Sequence, residues 1–265
     1  MNQAAGFVDI HCHLLPGIDD GAKNWDDSLA MARMAVADGI ETIVCTPHQL
    51  GGFSQNRGGA IRALTEELSQ RLAEHEIPLT VLPGADVRIE SGMIALVRQG
   101  EVLSLADHRR HILLELPHEL YFPLDRLLLE LSAAGMVGIL SHPERNAGIM
   151  SNPAIVGSLV DAGCLMQITA GSLLGAFGPQ SQSVAERLAS DGLVHFVSTD
   201  AHGLKSRRPR LAAAHGRMTE LVGSVLADQC CRDNPAAVAA GRPVAGGRCA
   251  ASSTRSGWFG WKKAG

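Results

Sequence analysis

The chain has 265 residues, of which 46% are hydrophobic and 19% charged, values typical of a folded globular protein and not of a disordered or fibrous one. Its 27 acidic residues outnumber its 23 Lys and Arg, giving a formal net charge of −4, and aromatic residues make up only 4%. These values argue against a nucleic-acid-binding protein, which needs a broad basic face or aromatic stacking platforms.

The first residues contain no basic stretch followed by an apolar one, and no segment reaches the roughly 18 apolar residues of a membrane span. We therefore expect a cytoplasmic protein without a transmembrane segment. None of the six cysteines forms a CxxC pair, and a chain of this length does not need disulfides for stability. Reduced thiols are expected throughout.

Seven short apolar runs alternate with helix-length segments along the chain. The runs are rich in Val, Ile and Leu on both faces, as in the strands of a buried parallel sheet. They cover residues 6–10, 41–45, 79–83, 111–116, 137–140, 165–169 and 194–198. This repeat predicts an α/β fold, a distorted TIM-like barrel of about seven parallel strands with surrounding helices. A doubly wound open sheet is the alternative.

The composition changes near residue 245, where Gly, Ala, Ser and Arg replace the periodic pattern. We predict a barrel domain over residues 1–244 and a flexible C-terminal tail over residues 245–265. The tail is either a solvated terminus or a contact with a membrane surface or partner. The residues that raise the second possibility are Trp258, Phe259, Trp261, Lys262 and Lys263.

Metal-type side chains stand at the ends of the predicted strands. Parallel strands open onto one face of a barrel, so these side chains are expected to meet in one pocket. A lone His-x-His or Asp-x-His pair is weak evidence of a metal site, but its recurrence at successive strand ends is not easily accidental. Mixed imidazole and carboxylate ligands suit Mn, Fe or Zn in a multinuclear site. The candidate ligands are His11, His13, His48, Asp86, Glu115, His142, Asp200 and His202.

Three further polar residues lie close to these ligands in the sequence. Arg145 and Arg207 follow His142 and His202, and a guanidinium there is suited to holding an oxyanion such as phosphate; a surface salt bridge is the alternative. Asp20 lies in a glycine-flanked loop after His13, where it acts either as a proton donor or ligand or as a turn-forming residue.

The ordered motifs resemble the PHP (polymerase and histidinol phosphatase) superfamily, and within it the bacterial capsule and exopolysaccharide protein-tyrosine phosphatases. The resemblance extends from about residue 7 to residue 241. The motifs that carry it are residues 9–13 (DIHCH), 19–21 (DDG), 46–48 (TPH), 84–89 (GADVRI), 113–115 (LLE), 141–145 (SHPER), 167–172 (QITAGS), 198–202 (STDAH) and 234–235 (NP).

The resemblance implies a distorted barrel, a site for two or three divalent ions usually filled with manganese, and iron or zinc as alternatives. It implies hydrolysis of phosphotyrosine on a protein. The expected substrate protein is a bacterial tyrosine kinase of polysaccharide export. It assigns the histidines of the candidate set, with Glu115 and Asp200, as ligands, and Arg145 and Arg207 as phosphate contacts. Asp86 stands where the family normally has Glu, and its shorter arm predicts weaker or shifted binding of one ion.

The expected reaction is in-line attack on phosphorus by a metal-activated hydroxide. Two alternatives remain open: a small-molecule phosphatase acting on a substrate such as histidinol phosphate, and a non-catalytic metal-binding regulator. A cysteine route is a weaker possibility, because Cys249 and Arg255 have Cys-x5-Arg spacing but lie in the aperiodic tail.

Overall fold

The computed structural model describes residues 6–249, and all seven predicted strands appear within them. Two further short strands bring the number in the described residues to nine. In chain order the strands are β1 (Phe7–Cys12), β2 (Ile40–Cys45), β3 (His48–Gln49), β4 (Thr80–Pro83), β5 (Asp86–Arg88), β6 (His111–Glu115), β7 (Val137–Ser141), β8 (Leu165–Thr169) and β9 (Phe196–Ser198).

The strands form two parallel sheets. One has the order β1-β2-β4 and the other the order β3-β5-β6-β7-β8-β9. The chain after β9 returns to β1, where Cys12 pairs with Ala201 and the Asp200 amide donates to the His11 carbonyl at 2.8 Å. The prediction of a parallel α/β fold is confirmed. The predicted count of about seven strands is corrected to nine in residues 6–249, and these strands form two sheets.

The two additional strands, β3 and β5, follow closely after two of the predicted strands, each beyond a break in the chain's extended path. β2 ends before Pro47, whose nitrogen has no hydrogen to donate to a strand ladder, and β3 starts directly after it. β4 ends before Gly84, where a Cβ atom would lie 2.6 Å from Val44 Cγ1, so only glycine allows this close approach. Each break passes the chain from the first sheet to the second.

Helices connect and cover the strands. They are α1 (Trp25–Ala37), α2 (Gly58–Glu74), α3 (Met93–Gln99), α4 (Asp125–Ala133), α5 (Ala147–Ser151), α6 (Ala154–Asp161), α7 (Ala170–Leu173), α8 (Pro179–Ser190), α9 (Ala212–Val222), α10 (Ser224–Asp228) and α11 (Asn234–Ala239). A π-helical turn over Gln229–Asp233 joins α10 to α11. Each longer helix buries one apolar stripe, as α2 does with Ile61, Leu68 and Leu72.

Apolar packing covers both faces of the strands. One set of strand side chains surrounds the fully buried Phe196, while others, including Ile43 and Leu140, pack in a larger cluster with helix residues. The strand members of the first set are Val8, Ile10, Val44, Leu113, Ile139, Leu165 and Phe196. Burial on both faces explains the uninterrupted Val, Ile and Leu runs in the sequence.

The described chain continues past the predicted domain boundary at residue 244. The Gly247 carbonyl lies 2.9 Å from His195 Nε2, and the Cys249 amide donates to the Gly192 carbonyl at 2.7 Å. The remainder of the predicted tail, with Trp258 and its neighbours and with Arg255, lies outside the described residues. Among residues 6–249, no helix is both long and apolar enough to cross a bilayer.

Candidate metal centre

The predicted ligands converge at one edge of the two sheets, on or next to strands. The burial of their side chains ranges from complete, at His11, to 16% exposed, at His48. Their positions are within β1 (His11), after β1 (His13), at the start of β3 (His48) and of β5 (Asp86), at the end of β6 (Glu115), after β7 (His142) and after β9 (Asp200 and His202). The strand breaks therefore place His48 and Asp86 at the beginnings of two short strands of the second sheet.

The ligand atoms form four overlapping groups in the described residues, and within each group they all lie within 4.8 Å of one another. Shared members, among them His11 and His48, join the groups into one cluster. All eight predicted ligands belong to it, and Asp20 is the ninth member. The groups are His13, Asp20, His48 and His202; His11, His142 and Asp200; His11, His13 and Asp86; and His48, Asp86 and Glu115.

Unpartnered buried atoms show that the cluster suits cations. His48 Nδ1, Asp86 Oδ2 and His202 Nε2 are buried and have no hydrogen-bond partner among residues 6–249. His48 Nδ1 and Asp86 Oδ2 lie only 3.3 Å apart, yet their geometry does not make a hydrogen bond. A buried polar atom without a partner costs free energy, and a shared ion between such atoms removes that cost. The donor set therefore fits divalent metal ions.

Carboxylates in and beside the cluster favour positive charge on two of its five histidine rings. Burial alone would lower the pKa of His13, but Asp19 and Asp200 raise it to about 9. Burial likewise opposes a charge on His48, but Asp20 and Asp86 raise its pKa to about 11. At these two rings the carboxylates outweigh burial, whereas burial lowers the pKa of His11, His142 and His202, as suits neutral imidazoles that bind a metal ion.

Asp86 reaches the cluster despite its short side chain. Its Oδ2 atom lies 3.3 Å from His48 Nδ1 and 3.6 Å from His11 Nε2, and the residue is fully buried. The neighbouring carboxyl group, Glu115, has its pKa raised to about 7 by burial and by the negative charge of Asp86. Two acidic groups this close are the arrangement expected where bound cations supply the neutralising charge.

Arg145 and Arg207 converge on a single oxygen. Both guanidinium groups donate to Oδ2 of Asp200, and the side chain of Arg145 is only 12% exposed. Burial would raise the pKa of Asp200, but His11, His13 and Arg207 hold it well below its usual range. Two guanidiniums that can reach one oxygen form a ready contact for a phosphoryl group beside the metal-type cluster.

Asp20 lies within the cluster and not apart from it. Its Oδ1 atom is 3.3 Å from His202 Nε2 and 3.4 Å from His48 Nε2. These two histidines lower the pKa of Asp20 far below its usual range. A carboxylate held in its ionised form suits a ligand role better than the proton-donor role considered from the sequence.

Two supporting residues were missed by sequence reasoning. Asp19 accepts from the backbone amides of Gly21 and His48, and its Oδ2 lies 2.7 Å from His13 Nδ1. Gln167 Oε1 lies 2.8 Å from His11 Nδ1. Acceptors at Nδ1 fix the ring orientation and leave Nε2 facing the cluster, as is usual for metal-binding histidines. The adjacent acidic pair at 19–20 was visible in the sequence, but nothing there separated the two roles.

Three of the eight non-glycine residues with positive φ in the described chain lie at this edge. His142, Asp200 and Arg207 have φ angles of 34°, 50° and 49°, in the left-handed region that residues other than glycine rarely adopt. Such conformations cost on the order of 1 kcal/mol each and persist where the surrounding structure enforces them. Here they aim ligand and guanidinium side chains into the site.

No cysteine belongs to the ligand groups found in residues 6–249. Cys12 lies between two candidate ligands in the sequence, but it is fully buried and burial raises the pKa of its thiol well above the ordinary value. Cys249 donates from Sγ to the Val194 carbonyl, and burial raises its pKa as well. The other member of the Cys-x5-Arg pair, Arg255, lies outside the described residues.

Comparison with known proteins finds a family model described as capsular polysaccharide synthesis, CpsB/CapC, which matches residues 7–240. Tyrosine-protein phosphatase YwqE of Bacillus subtilis is 42% identical over 203 residues, covering 76% of this chain and 79% of YwqE. Tyrosine-protein phosphatase CpsB of Streptococcus pneumoniae is 26% identical over 234 residues, covering 86% and 96% of the two chains.

The fold is also similar to a solved one. A structure from a study of YwqE and CpsB, described there as unique metal-dependent tyrosine phosphatases, superposes with a TM-score of 0.86 at 37% identity. The match covers 90% of this chain and 96% of the other. The likeness therefore extends over most of the fold.

Proposed function

The chain belongs to the CpsB/CapC family of capsular polysaccharide synthesis, and from this premise we propose that it is a metal-dependent protein-tyrosine phosphatase. One observation carries the proposal: a cluster of buried metal-type ligands lies beside two guanidiniums that converge on a single oxygen. Metal ions and a phosphate clamp are the two parts that hydrolysis of a phosphomonoester requires.

We assign the cluster to two or three divalent ions, with manganese preferred and iron or zinc as alternatives. The overlapping groups and the mixed nitrogen and oxygen donors support a multinuclear site of this kind. When bound, such ions lower the pKa of water and neutralise charge on the phosphoryl oxygens. The residues that would hold them are His11, His13, Asp20, His48, Asp86, Glu115, His142, Asp200 and His202.

The protein's own side chains bind and orient the phosphoryl group. Arg145 and Arg207 donate to two of its oxygens in place of Asp200 Oδ2, which keeps the phosphorus next to the cluster. The departing tyrosinate is a fairly good leaving group, because the pKa of a phenol is near 10. The reaction therefore needs less acid catalysis than the hydrolysis of an alkyl phosphate, in keeping with an ionised Asp20.

The proposed substrate is phosphotyrosine on a protein, and the proposed protein is a tyrosine kinase of polysaccharide export. The tyrosine-protein phosphatase names of the relatives and the capsule-synthesis description of the family support this assignment. We further propose that the two sheets act as one distorted barrel, which the Cys12–Ala201 bridge and the similarity to the solved structure support.

The test is initial-rate hydrolysis of a phosphotyrosyl peptide and of histidinol phosphate by chelator-treated protein, with and without added manganese. We expect added manganese to restore hydrolysis of the phosphotyrosyl peptide but not of histidinol phosphate. A preference for histidinol phosphate would keep the metal site and replace the substrate, whereas no turnover with manganese, iron or zinc would overturn the enzyme assignment in favour of a regulator.

Variants connect this activity to the cluster. His142→Ala and Glu115→Ala are each expected to lower peptide hydrolysis by about 100-fold or more at fixed manganese concentration. His75→Ala is the matched control, since His75 is exposed at the end of α2. Activity that survives both cluster substitutions would rule out the metal-dependent mechanism.

A further inference from the structure

Lysines are scarce in this protein, and their placement is uneven. The sequence contains four, of which Lys23 and Lys205 lie in the described residues. Both line the same cavity of about 370 Å³, and both are exposed. Asp20 and His202, two members of the metal-type cluster, line it as well. The two lysines, 182 positions apart in sequence, thus meet at the rim of the proposed active site.

The segment that brings Lys205 to this rim is strongly basic. Residues 205–210 read Lys-Ser-Arg-Arg-Pro-Arg and contain no acidic residue. The segment is anchored at the site, because the His202 amide donates to the Arg207 carbonyl at 2.9 Å and Arg207 donates to Asp200. Arg208 is exposed and its Nε donates to the Lys205 carbonyl at 2.9 Å. We call Lys23, Lys205 and Arg208 the basic rim.

The charges of the basic rim are available to a ligand. None of its three residues forms an ion pair with another residue in the range 6–249. Two carboxylates also line the cavity: Asp20 lies against His48 and His202, and Asp27 accepts the Lys23 backbone amide at 3.4 Å. Within residues 6–249 the two lysine ammonium groups at this cavity therefore have no salt-bridge partner, on a protein whose whole chain carries a net charge of −4.

We propose that the basic rim binds acidic side chains that flank the phosphotyrosine of the substrate. The inference rests on the proposed phosphatase function, and it identifies the substrate class as an acidic phosphotyrosyl segment. Arg207, which donates to Asp200 and is assigned above to the phosphate, lies two residues from Lys205 on the same anchored segment. An extended peptide advances about 3.3 Å per residue, so side chains near the phosphotyrosine meet the rim. Opposite charges there raise the association rate and select the partner.

The experiment compares two phosphotyrosyl peptides that differ only in having glutamate or glutamine at the flanking positions. The readout is the ratio of their kcat/KM values at low salt. We expect the intact protein to favour the glutamate peptide by about threefold to tenfold, the range for a few exposed ion pairs. The ratio should approach one in the Lys23→Ala/Lys205→Ala double variant and in the intact protein at high salt.

Arg33→Ala is the matched control, because Arg33 is an exposed cation on α1 that does not line the cavity. It is expected to keep the preference. A ratio near one in the intact protein, or a preference that persists in the double variant, would overturn the proposal. The proposal would also be overturned if the double variant kept the preference for the glutamate peptide but lost binding to phosphatidylserine vesicles. That result would assign the basic rim to a membrane surface.

A binding arm separates this proposal from the phosphatase assignment. Fluorescent versions of the same peptides carry a non-hydrolysable phosphonate in place of the phosphate, so their affinity is measurable without turnover. If the protein hydrolyses neither phosphopeptide, the proposed function fails. Tighter binding of the glutamate phosphonate, lost in the double variant, would still support the basic rim, and equal binding of the two phosphonates would refute it.

Discussion

The guanidinium carbon of Arg145 lies 4.2 Å from the ring centroid of Phe177. α7 packs closely against this ring: a Cβ atom on Gly171 would lie only 3.0 Å from Phe177 Cε2. A positively charged guanidinium over an aromatic face is favoured electrostatically. Phe177 thus orients one of the two groups assigned to phosphate binding, although it lies 32 residues away along the chain.

Replacing Phe177 by leucine should weaken phosphate recognition. A cation–π contact contributes about 0.5–2 kcal/mol, which corresponds to an increase of about twofold to 30-fold in KM and in the inhibition constant of inorganic phosphate. Phe177→Tyr is expected to retain most of the affinity. The matched control is Trp25→Leu, which removes the similar contact of Trp25 with Arg71, a pair that contains no member of the site. Equal effects of the two leucine variants would refute the positioning role.

Asp19→Asn should loosen metal binding without removing a member of the cluster. The Asp19 carboxylate lies 2.7 Å from His13 Nδ1 and keeps His13 Nε2 turned toward Asp200. Loss of such a supporting carboxylate typically lowers metal affinity by about 10-fold to 100-fold. Competition with a fluorescent chelator measures the metal affinity of the variant and of the intact protein. The control is Asp161→Asn on the exposed end of α6, and an Asp19 variant that matches this control would contradict the supporting role.

Thiol alkylation should leave hydrolysis unchanged. Cys12 and Cys45 are fully buried next to the site, and burial raises the pKa of both thiols above the ordinary value. A protonated, inaccessible thiol is a poor nucleophile. The measurement is peptide hydrolysis after incubation with iodoacetamide, beside a parallel sample treated with a chelator. Inactivation by iodoacetamide that phosphate prevents would revive the cysteine route.

His111 should make the fold sensitive to acid. This residue is buried at the start of β6, and burial, together with Arg110 and His108, lowers its pKa to about 4. The unfolded chain takes up the proton near pH 6.5, so the free energy of unfolding decreases as pH falls from about 6.5 toward 4. The loss between pH 7 and pH 5 is on the order of 2 kcal/mol.

Urea unfolding of the intact protein and of His111→Leu at pH 7 and pH 5 measures this contribution. The variant is expected to lose less stability on acidification than the intact protein does. His75→Leu, at an exposed position, controls for the loss of a histidine as such. An equal loss of stability in the intact protein and the His111 variant would show that another group dominates the acid response.

Sequence patterns predicted the strands and the convergence of the ligand types for a simple physical reason. Runs of Val, Ile and Leu mark strands buried on both faces, and parallel strands present their carboxyl ends at the same edge. The breaks at Pro47 and Gly84 were harder to predict, because the close approach of Gly84 to Val44 depends on tertiary contacts.

Contacts between distant segments were not predictable from spacing. Phe177 follows Arg145 by 32 residues with no periodic relation, and Lys23 and Lys205 meet only because the chain after β9 returns to β1. Asp19 and Asp20 are neighbours with similar surroundings in sequence, yet the turn directs one toward His13 and the other toward His48 and His202. Such distinctions arise from backbone geometry and not from residue type.

The division of the strands into two sheets gives the metal-type cluster a mechanical role. His11 belongs to β1 in the first sheet, whereas His48, Asp86 and Glu115 belong to strands of the second. Metal ions bound by ligands from both sheets would link the two sheets, and the ions would have to dissociate before the sheets could separate. The lifetime of the folded protein in a cell would then depend on the supply of the metal. Metal starvation would lower the amount of folded enzyme as well as its activity.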